Sequence, residues 1–329
     1  MFKKLLIFLF IAIFIASFFI GKFDFSTKDY LAFFGSFFGA DGGENFEVIK
    51  TILLDIRLPR ILACVLIGSA LALSGAVYQG IFLNPLVSPS ILGVLNGASF
   101  GAALGMVLGL SAFFTQFLTF AFGCLAVGVA VFVGLVGVQN RGVLLLILGG
   151  VVSSAFFASL LSLLKYIADP TQTLPRITYF LLGSLSFVSK EQILLCAVPM
   201  LVGVVLLTAG YKVLNALSLG EDEAKTLGVQ TTHAKLYFIT LATFVSSLSV
   251  MLCGVIGWIG LVVPHMVRFV VGADNKVVLP ASAFAGATFL LVCDNISRML
   301  FAYEVPIGIV TSFVGIPIFV VLLRKKRRF

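Results

Sequence analysis

Long apolar stretches recur along the whole chain, and each is close to the length that a helix needs to cross a lipid bilayer. One crossing takes about 20 residues, because the hydrocarbon core is about 30 Å thick and a helix rises about 1.5 Å per residue. Charged residues make up only 11% of the 329 positions, against about 25% in soluble domains. The sequence therefore predicts an all-α polytopic membrane protein with about ten transmembrane helices. The predicted windows are 4–21, 58–80, 91–109, 113–136, 143–164, 191–210, 235–256, 259–272, 279–300 and 306–323.

Basic residues at the two ends orient these windows. Lys3 and Lys4 lie at the start of the first window, and the basic run 324–328 follows the last. Such residues flank the cytoplasmic ends of membrane helices, and an even number of crossings places both termini on one side. We therefore expect an uncleaved first helix, both termini in the cytoplasm and a cytoplasmic (inner) membrane location. The net charge of +8 suits anchoring to membrane lipid, and no nucleic acid partner is expected.

No soluble domain separates the windows, so we expect a single transmembrane domain over 1–329. It would consist of a first helix at 4–21, an outer loop at 22–57, core helices over 58–323, an inner segment at 211–235 and a basic tail at 324–329. The outer loop is expected to turn at 39–43. The second outer segment, 165–191, contains two prolines and is expected to be only partly ordered.

Arg57 and Arg60 flank Leu58-Pro59 at the outer entrance of the second window. Proline is compatible with the first turn of a helix, and residues three apart project to similar sides of it. Positive charge at a helix N-terminus opposes the helix dipole, so an anion should compensate. The candidates are Asp55, lipid phosphate and carboxylates of a docking protein.

Small residues recur every four positions in the second and third windows. They are Gly68, Ala72, Ala76 and Gly80 in the second, and Gly97, Gly101, Gly105 and Gly109 in the third. Residues four apart share one helix face, so each ridge lets a neighbouring backbone approach closely. Tight packing is the simpler interpretation, and sliding of the packed helices against each other is the functional one.

A polar segment with two prolines joins these two windows. Pro85 and Pro89 disfavour helical geometry at Asn84 and Ser88, so the chain must turn there. Non-helical backbone at membrane depth has to be buried in protein or to line a wet cavity. Asn84 and Leu86 would then lie at an inner mouth; a tight cytoplasmic turn with an Asn cap is the alternative.

Charged and polar residues are rare in the last windows. Asp294 and Arg298 are four apart, so they can pair on one helix face, and Glu304 follows in a short loop. Ionisable groups within a membrane are candidates for proton transfer. Pro264 is expected to break the eighth window, and the neighbouring His265 to be a packing or turn residue.

The inner segment contains the pattern of a very short helix. Three acids, 221–223, occupy its first turn and Lys225 lies near its end, while Gly220 and Gly228 suit the two caps. A helix of this length is marginal alone. We therefore expect it to dock on a partner protein, with a solvated loop helix as the alternative.

Sequence motifs of common enzymes are missing. The patterns GxxxxGK[ST], HExxH and GxSxG have no match, so a nucleotide that supplies energy would be hydrolysed by another chain. The cysteines lie in apolar stretches without metal-ligand spacing, which predicts small core residues. We expect no catalytic site, no metal site and no cofactor on this chain.

Five separated motifs together resemble the FecCD family. They are RLPR at 57–60, GSALALSGAVYQG with NPLVSPSILGV at 68–94, EDEAKTLGV at 221–229, GWIGLVVPHMVR at 257–268 and EVPIGIVTSFVGIPIFVVLL at 304–323. The likeness runs in the same order from about residue 50 to 323. Members are permease subunits of binding-protein-dependent ABC importers for iron-siderophore complexes, haem and vitamin B12.

The resemblance implies a type II importer permease fold and a set of partners. Two permeases would form a homodimer with the translocation path at its axis, above two cytoplasmic ATPase subunits that bind ATP and Mg and below a periplasmic substrate-binding protein. The matching positions are Arg57, Arg60 and Arg298 for docking to glutamates of the binding protein, Asn84 and Leu86 for the cytoplasmic gate, and Glu221, Asp222, Glu223, Ala224, Leu227 and Gly228 for coupling to the ATPases.

The function expected from this resemblance is import by alternating access, driven by ATP. Ferric siderophore is the leading substrate, with haem and cobalamin behind it. The alternative is a secondary transporter coupled to protons or sodium, with Asp294 and His265 as carriers. A membrane-embedded enzyme is a third class, for which the chain lacks clustered polar residues.

Overall fold

The computed structural model describes residues 2–23, 25–36, 45–136, 143–186, 188–301 and 303–325, and these ranges contain helices and no strand. The predicted turn at 39–43 and the tail beyond residue 325 lie outside them. The helices are α1 Phe2–Phe19, α2 Thr27–Ser36, α3 Phe46–Lys50, α4 Leu58–Ile81, α5 Val94–Val107, α6 Ala112–Val136, α7 Val143–Ile167, α8 Thr173–Leu182, α9 Lys190–Ala209, α10 Tyr211–Leu217, α11 Glu221–Thr226, α12 Thr231–Cys253, α13 Ile259–Val271, α14 Asn275–Met299 and α15 Ile307–Lys325.

Each predicted window is occupied by a helix, namely α1, α4 to α7, α9 and α12 to α15. Within the described residues, seven helical stretches are long and apolar enough to cross a membrane. Of the three remaining windows, α1 has 18 residues, α5 has 14 and α13 has 13. The all-helical membrane architecture is therefore confirmed, while about ten crossings stays a prediction.

Helix α4 forms the centre of the molecule. In the most apolar 18 residues of the stretch that ends with α4, 83% are buried, against 22% in the corresponding parts of α7 and α15. Its neighbours are α14, α12, α13 and α9. The reason is its composition, because a helix rich in glycine and alanine can be surrounded closely on all sides. The outer helices leave apolar side chains such as Leu144, Leu194 and Phe313 exposed, as a lipid-facing surface requires.

The described part of the segment predicted as an outer loop, 22–57, is mostly helical. Helix α3 continues through a π-helical turn, Thr51–Arg57, directly into α4. Phe33, Ile49 and Leu53 form a small core beneath this segment. Ile49 and Leu53 are four apart and share one face, and Phe18 of α1 packs against the cluster that they form. The described part of the predicted outer loop therefore contains helices, and its position outside the membrane stays a prediction.

The second outer segment is also more ordered than predicted. Oδ1 of Asp169 accepts hydrogen bonds from the backbone N–H groups of Thr171 at 2.9 Å and Gln172 at 2.7 Å. This turn leads into α8, whose Pro175 lies in the first helical turn, where a missing N–H costs nothing. The prolines therefore start a helix here instead of preventing one.

The two ends of α4 define two ends of the molecule. Arg57 and Arg60 lie at its beginning, and we call this the arginine end. The non-helical segment 82–88 follows its last turn, and α10 packs there, since a Cβ on Gly80 would lie 3.0 Å from Leu214. We call this the elbow end. Helix α5 begins at the elbow end and returns to the arginine end.

Candidate functional site

Glycine contacts set the distance between α4 and its neighbours. A Cβ on Gly68 would lie 2.4 Å from the carbonyl oxygen of Gly286 in α14, and a Cβ on Gly286 would lie 2.2 Å from that of Gly68. Gly286 also faces Ala72. The ridge predicted in the second window therefore packs on α14 near the middle of α4, and on α10 at Gly80. Ala76 contributes its carbonyl oxygen, to which Nη2 of Arg268 donates at 3.0 Å.

A tighter contact was missed by the sequence analysis. A Cβ on Gly75 would lie 1.8 Å from the carbonyl oxygen of Gly260 in α13. This contact also explains why Pro264 does not break α13, contrary to the prediction. Pro264 lacks the N–H that would bond to residue 260, and the carbonyl of residue 260 faces Gly75 instead.

The third-window ridge packs against α6. A Cβ on Gly97 would lie 2.3 Å from the carbonyl oxygen of Phe122, and one on Gly101 2.3 Å from that of Leu118. Gly105 faces Thr115 at 2.8 Å. The ridge ends there: Gly109 follows the end of α5 with φ +65, and a Cβ on it would meet nothing within 4 Å among the described residues. Including Gly109 in the ridge was wrong, because α5 ends two residues before it, at Val107.

Arg57 is buried and bonded to the end of α1. Its Nη1 donates to the carbonyl of Phe18 and to the hydroxyl of Tyr30 at 3.2 Å, and its Nη2 donates to the carbonyl of Phe23 at 3.0 Å. A guanidinium suits carbonyls at a helix C-terminus, which carry partial negative charge. Asp55, the predicted compensating acid, pairs instead with Lys190.

Arg298 also caps the C-terminal end of α1. It donates to the carbonyls of Ile20 at 2.9 Å and Ser17 at 3.4 Å, and to the side chain of Asn295. Its Nε lies 3.1 Å from Oδ2 of Asp294, so the pairing predicted from the four-residue spacing is confirmed.

Arg60 differs from the other two because its described partners are carboxylates. Its Nε donates to Oδ1 of Asp294 at 2.8 Å, and its Nη1 lies 2.9 and 2.8 Å from the two oxygens of Glu304. Among the described residues its anions therefore come from within the chain, and Asp55 is not one of them. Lipid phosphate and carboxylates of a docking protein stay predictions. Only 8% of the Arg60 side chain is exposed, against 31% for Glu304.

Glu304 also binds the segment between α8 and α9. The hydroxyl of Ser186 donates to Oε2 of Glu304. Burial raises the pKa of Glu304, but the hydrogen bond from Ser186 and the charge of Arg60 outweigh it, and the pKa lies below the ordinary 4.5. Glu304 is therefore ionised at neutral pH and joins Arg60 to Ser186. Sequence spacing could not reveal this link, since Glu304 and Ser186 are 118 positions apart.

The elbow end contains the predicted turn. Oδ1 of Asn84 accepts a hydrogen bond from the backbone N–H of Leu86 at 2.9 Å. Asn84 therefore stabilises a tight turn, as in the alternative that the sequence analysis gave for this segment. Leu83 has φ +49, while Leu83 and Leu86 are about half exposed and Val87 is buried. The turn thus presents two leucines away from the core.

Helix α11 is present with the predicted glycine caps. Gly220, at φ +120, precedes it, and Gly228, at φ +79, follows its end. The N–H groups of Gly228 and Val229 bond to the carbonyls of Lys225 and Ala224, which closes the helix. Ala224 is fully buried, and Glu221 pairs with Lys235 of α12. The helix is therefore fixed to the core despite its six residues.

The residues proposed as ion carriers are not free groups. Both oxygens of Asp294 lie beside guanidiniums, 2.8 Å from Arg60 and 3.1 Å from Arg298. His265 is buried, with its ring 5.9 Å from that of Phe319. A carrier must exchange its ion with water, and a carboxylate enclosed by two guanidiniums is poorly placed to do so. Among the described residues, no group of His, Cys, Asp and Glu could hold a metal ion.

Comparisons with known proteins agree with this architecture. The model of the FecCD transport family matches residues 8–325. The molybdate import system permease protein MolB of Haemophilus influenzae is 40% identical over 284 residues, 85% of this chain and 83% of that one. The hemin transport system permease protein HmuU of Yersinia pestis is 36% identical over 84% of each chain. A solved structure of a metal-chelate type ABC transporter in an inward-facing conformation matches with a TM-score of 0.87 and 36% identity over 97% of each chain. The chain therefore belongs to the FecCD transport family.

Proposed function

We propose that this chain is the permease subunit of an ATP-driven importer that carries an iron chelate into the cytoplasm by alternating access. It works as a homodimer with two ATPase subunits at the elbow end and a substrate-binding protein at the arginine end. ATP and Mg bind to the ATPases, and the permease binds no cofactor. Both termini lie in the cytoplasm.

The observation that carries this proposal is the rigid presentation of α11. Two glycine caps and the buried Ala224 fix the helix, while Leu219 and Leu227 on either side are each 63% exposed. Exposed leucines beside a short, rigidly held helix suit insertion into an apolar groove of a partner. The ATPase dimer is that partner in the proposed mechanism.

Motion at α11 has a route into the core. Helix α10, which precedes it, bonds to the start of α14, because Oδ1 of Asn215 accepts the N–H of Asn275 at 2.9 Å. The side chain of Asn275 accepts from Arg268 of α13 at 2.9 Å, and Arg268 bonds to Ala76 of α4. Movement of α10 therefore displaces α14, α13 and α4 together. The turn with Asn84 and Leu86 lies at the same end and serves as the cytoplasmic gate.

The translocation path would follow an apolar face beside α15. A cavity of about 610 Å³ opens between α8, α13 and α15, lined among others by Leu182, Trp258, Ser312 and Phe313. A second copy of the chain placed over this face would close the cavity into a path at the dimer axis. Its apolar lining agrees with the expectation that the permease binds substrate weakly and the binding protein recognises it.

Ferric siderophore is the substrate that we propose, supported by the hemin permease and the metal-chelate transporter among the similar proteins. Molybdate is a second candidate, because the molybdate permease is 40% identical over 85% of this chain. Uptake of radiolabelled iron siderophore, haem, cobalamin and molybdate separates the candidates. It is measured in a strain from which the gene for this chain has been deleted, and in the same strain after the gene has been restored. Uptake that survives ATP depletion but stops when the ion gradient collapses would instead support the secondary transporter.

The ATPase contact can be tested by replacing an exposed leucine with glutamate at the elbow end and, as a control, at the arginine end. Leu227→Glu, at the elbow end, should prevent copurification of the ATPase and remove ATP-driven uptake, because a charge replaces the exposed apolar contact. Leu108→Glu is the matched control: Leu108 is 60% exposed and lies beyond α5, at the arginine end. Equal ATPase binding by both variants would contradict the proposed contact.

A further inference from the structure

A second cavity, of about 760 Å³, lies at the arginine end. It opens between the turn that joins α5 to α6, helix α8, the start of α9 and the end of α12. It shares none of its lining residues with the cavity proposed as the path. Its volume falls in the range of small-molecule binding sites, about 300–1,000 Å³. The proposed transport mechanism gives this cavity no role, so a ligand has to be inferred from its lining alone.

The charge in this lining is a guanidinium. Arg176 of α8 lines the cavity and forms no ion pair with any described residue. Asp169, the nearest acid in the sequence, uses its Oδ1 for the N–H groups of Thr171 and Gln172. Arg176 also lies in the first turn of α8, where positive charge opposes the helix dipole. An anion in the cavity would therefore be attracted by both the guanidinium and the helix end.

Two glutamines add hydrogen-bond donors to the same cavity. Gln192 of α9 uses its Oε1 to accept the N–H of Ser189 at 3.0 Å, which leaves its amide Nε2 without a described partner. Gln116 of α6 lines the cavity and makes no described side-chain hydrogen bond. The lining contains no Asp or Glu. The polar part of the cavity therefore suits a ligand with an anionic, oxygen-rich group and offers no acid to a cationic one.

The deeper part of the cavity is apolar. Met251 and Leu252, at the end of α12, line it and are buried, and Met106 of α5 lines it as well. An apolar surface next to an unpaired guanidinium suits a ligand with a hydrocarbon part attached to its anionic group. A small hydrophilic anion would leave this apolar surface uncovered.

The helices on two sides of the cavity have lipid-facing surfaces. In α6, Gln116 and Thr119 are three apart and line the cavity, while Phe113 and Phe117 are four apart and more than half exposed. One face of α6 is thus turned to the cavity and the adjacent face is apolar and exposed. In α9, Leu194 is 75% exposed. The cavity therefore lies beside the lipid that surrounds α6 and α9, and this lipid is the nearest source of an amphipathic anion.

We propose that this cavity binds one anionic phospholipid. Its phosphate lies at Arg176, Gln116 and Gln192 donate to its oxygens, and the beginning of an acyl chain covers Met251 and Leu252. A phosphodiester carries one negative charge, so the loaded site is neutral. A zwitterionic lipid would bring an ammonium group to a cavity whose lining holds an arginine and no acid. The site therefore prefers phosphatidylglycerol to phosphatidylcholine.

Native mass spectrometry of the purified full-length permease tests this preference. With added phosphatidylglycerol or phosphatidylcholine of identical acyl chains, the wild type should bind one molecule of the anionic lipid about tenfold more tightly. Arg176→Gln should abolish the preference. Lys165→Gln is the matched control, because Lys165 lies in the last turn of α7 at the same end, outside the cavity lining, and it should retain the preference. Equal binding of both lipids by the wild type, or the same result for both variants, would overturn the proposal.

A second pair of variants tests the cavity without changing any charge, and it decides the matter if Arg176→Gln does not fold. Ala112 lines the cavity and is exposed, so Ala112→Trp should fill its entrance and weaken phosphatidylglycerol binding about tenfold. Phe113→Trp, one position further and outside the lining, should bind as the wild type does. Unchanged binding by Ala112→Trp would place the lipid elsewhere and refute the site.

The source of the anion is tested with glycerol 3-phosphate as a soluble competitor. It should not displace the lipid at equal concentration, because it cannot cover the apolar part of the cavity. Displacement would show a site for free phosphate esters and refute the assignment to lipid. The proposal does not rest on the proposed function, since none of these measurements involves transport, an ATPase or a binding protein.

Discussion

The close crossing of α4 and α14 predicts that a single methyl group will destabilise the protein. In Gly68→Ala the new Cβ would lie 2.4 Å from the carbonyl oxygen of Gly286, where ordinary contact begins at 3.4 Å. The helices must therefore part by about 1 Å, and overpacking of this kind costs about 1–3 kcal/mol. Alanine regains about 0.5–1 kcal/mol of helix propensity over glycine. Because the clash is between two backbones, which yield little, we expect a net loss of about 2 kcal/mol.

Gly128 in α6 provides a matched control, because a Cβ there would meet no described atom within 4 Å. Gly128→Ala should therefore gain about 0.5–1 kcal/mol. The free energy of unfolding can be followed in mixed micelles by the fluorescence of Trp258, the single tryptophan of the chain. The two variants should differ by about 3 kcal/mol. A difference below about 1 kcal/mol would refute the reasoning.

A double substitution tests whether the cost arises at this crossing. Once Gly68→Ala has separated the helices, Gly286→Ala enters space that is already open, so the two losses should add to less than their sum. Fully additive losses would show that the two methyl groups act at independent places.

Two further predictions concern the charged residues at the arginine end. Asp294→Asn should lower the free energy of unfolding by about 3–5 kcal/mol, because it leaves two buried guanidiniums without their shared carboxylate. Asp55 belongs to an exposed ion pair, so Asp55→Asn should lower it by less than about 1 kcal/mol in the same fluorescence assay. Equal losses would contradict the burial of Asp294. Because the pKa of Glu304 is lowered on folding, its contribution is present above the ordinary 4.5 and lost as the pH falls through the lower folded value. The stability difference between the wild type and Glu304→Gln should thus disappear on acidification, and a difference that persists at low pH would argue against it.

Sequence reasoning predicted best the features that depend on neighbouring residues. The apolar windows became helices because length and hydrophobicity alone decide which segments can lie in a bilayer. The caps of α11 were correct because a glycine with positive φ acts on the turn beside it, as at Gly228. The pairing of Asp294 with Arg298 follows from helical spacing alone.

The features that the sequence did not predict have one physical origin, because each depends on contacts between residues that are distant in sequence. Arg60 and Glu304 are 244 positions apart, so no local pattern could show that the compensating acid belongs to the same chain. Gly75 does not belong to the ridge of small residues that recur every four positions. Only its close contact with Gly260 shows that a glycine is needed there. The fold of segment 22–57 likewise depends on the end of α1, against which its few apolar residues pack.

The capping of α1 sets an order on the assembly of the protein in the membrane. Arg57 follows the first helix closely in synthesis, but Arg298 lies 278 positions after Ile20, when about nine-tenths of the chain has been made. Until α14 is inserted, the carbonyls of Ser17 and Ile20 must be satisfied by water or lipid headgroups. The C-terminal end of α1 is therefore capped in part by a helix near the other end of the chain, and a chain that stops before α14 lacks the bonds from Arg298 to this end.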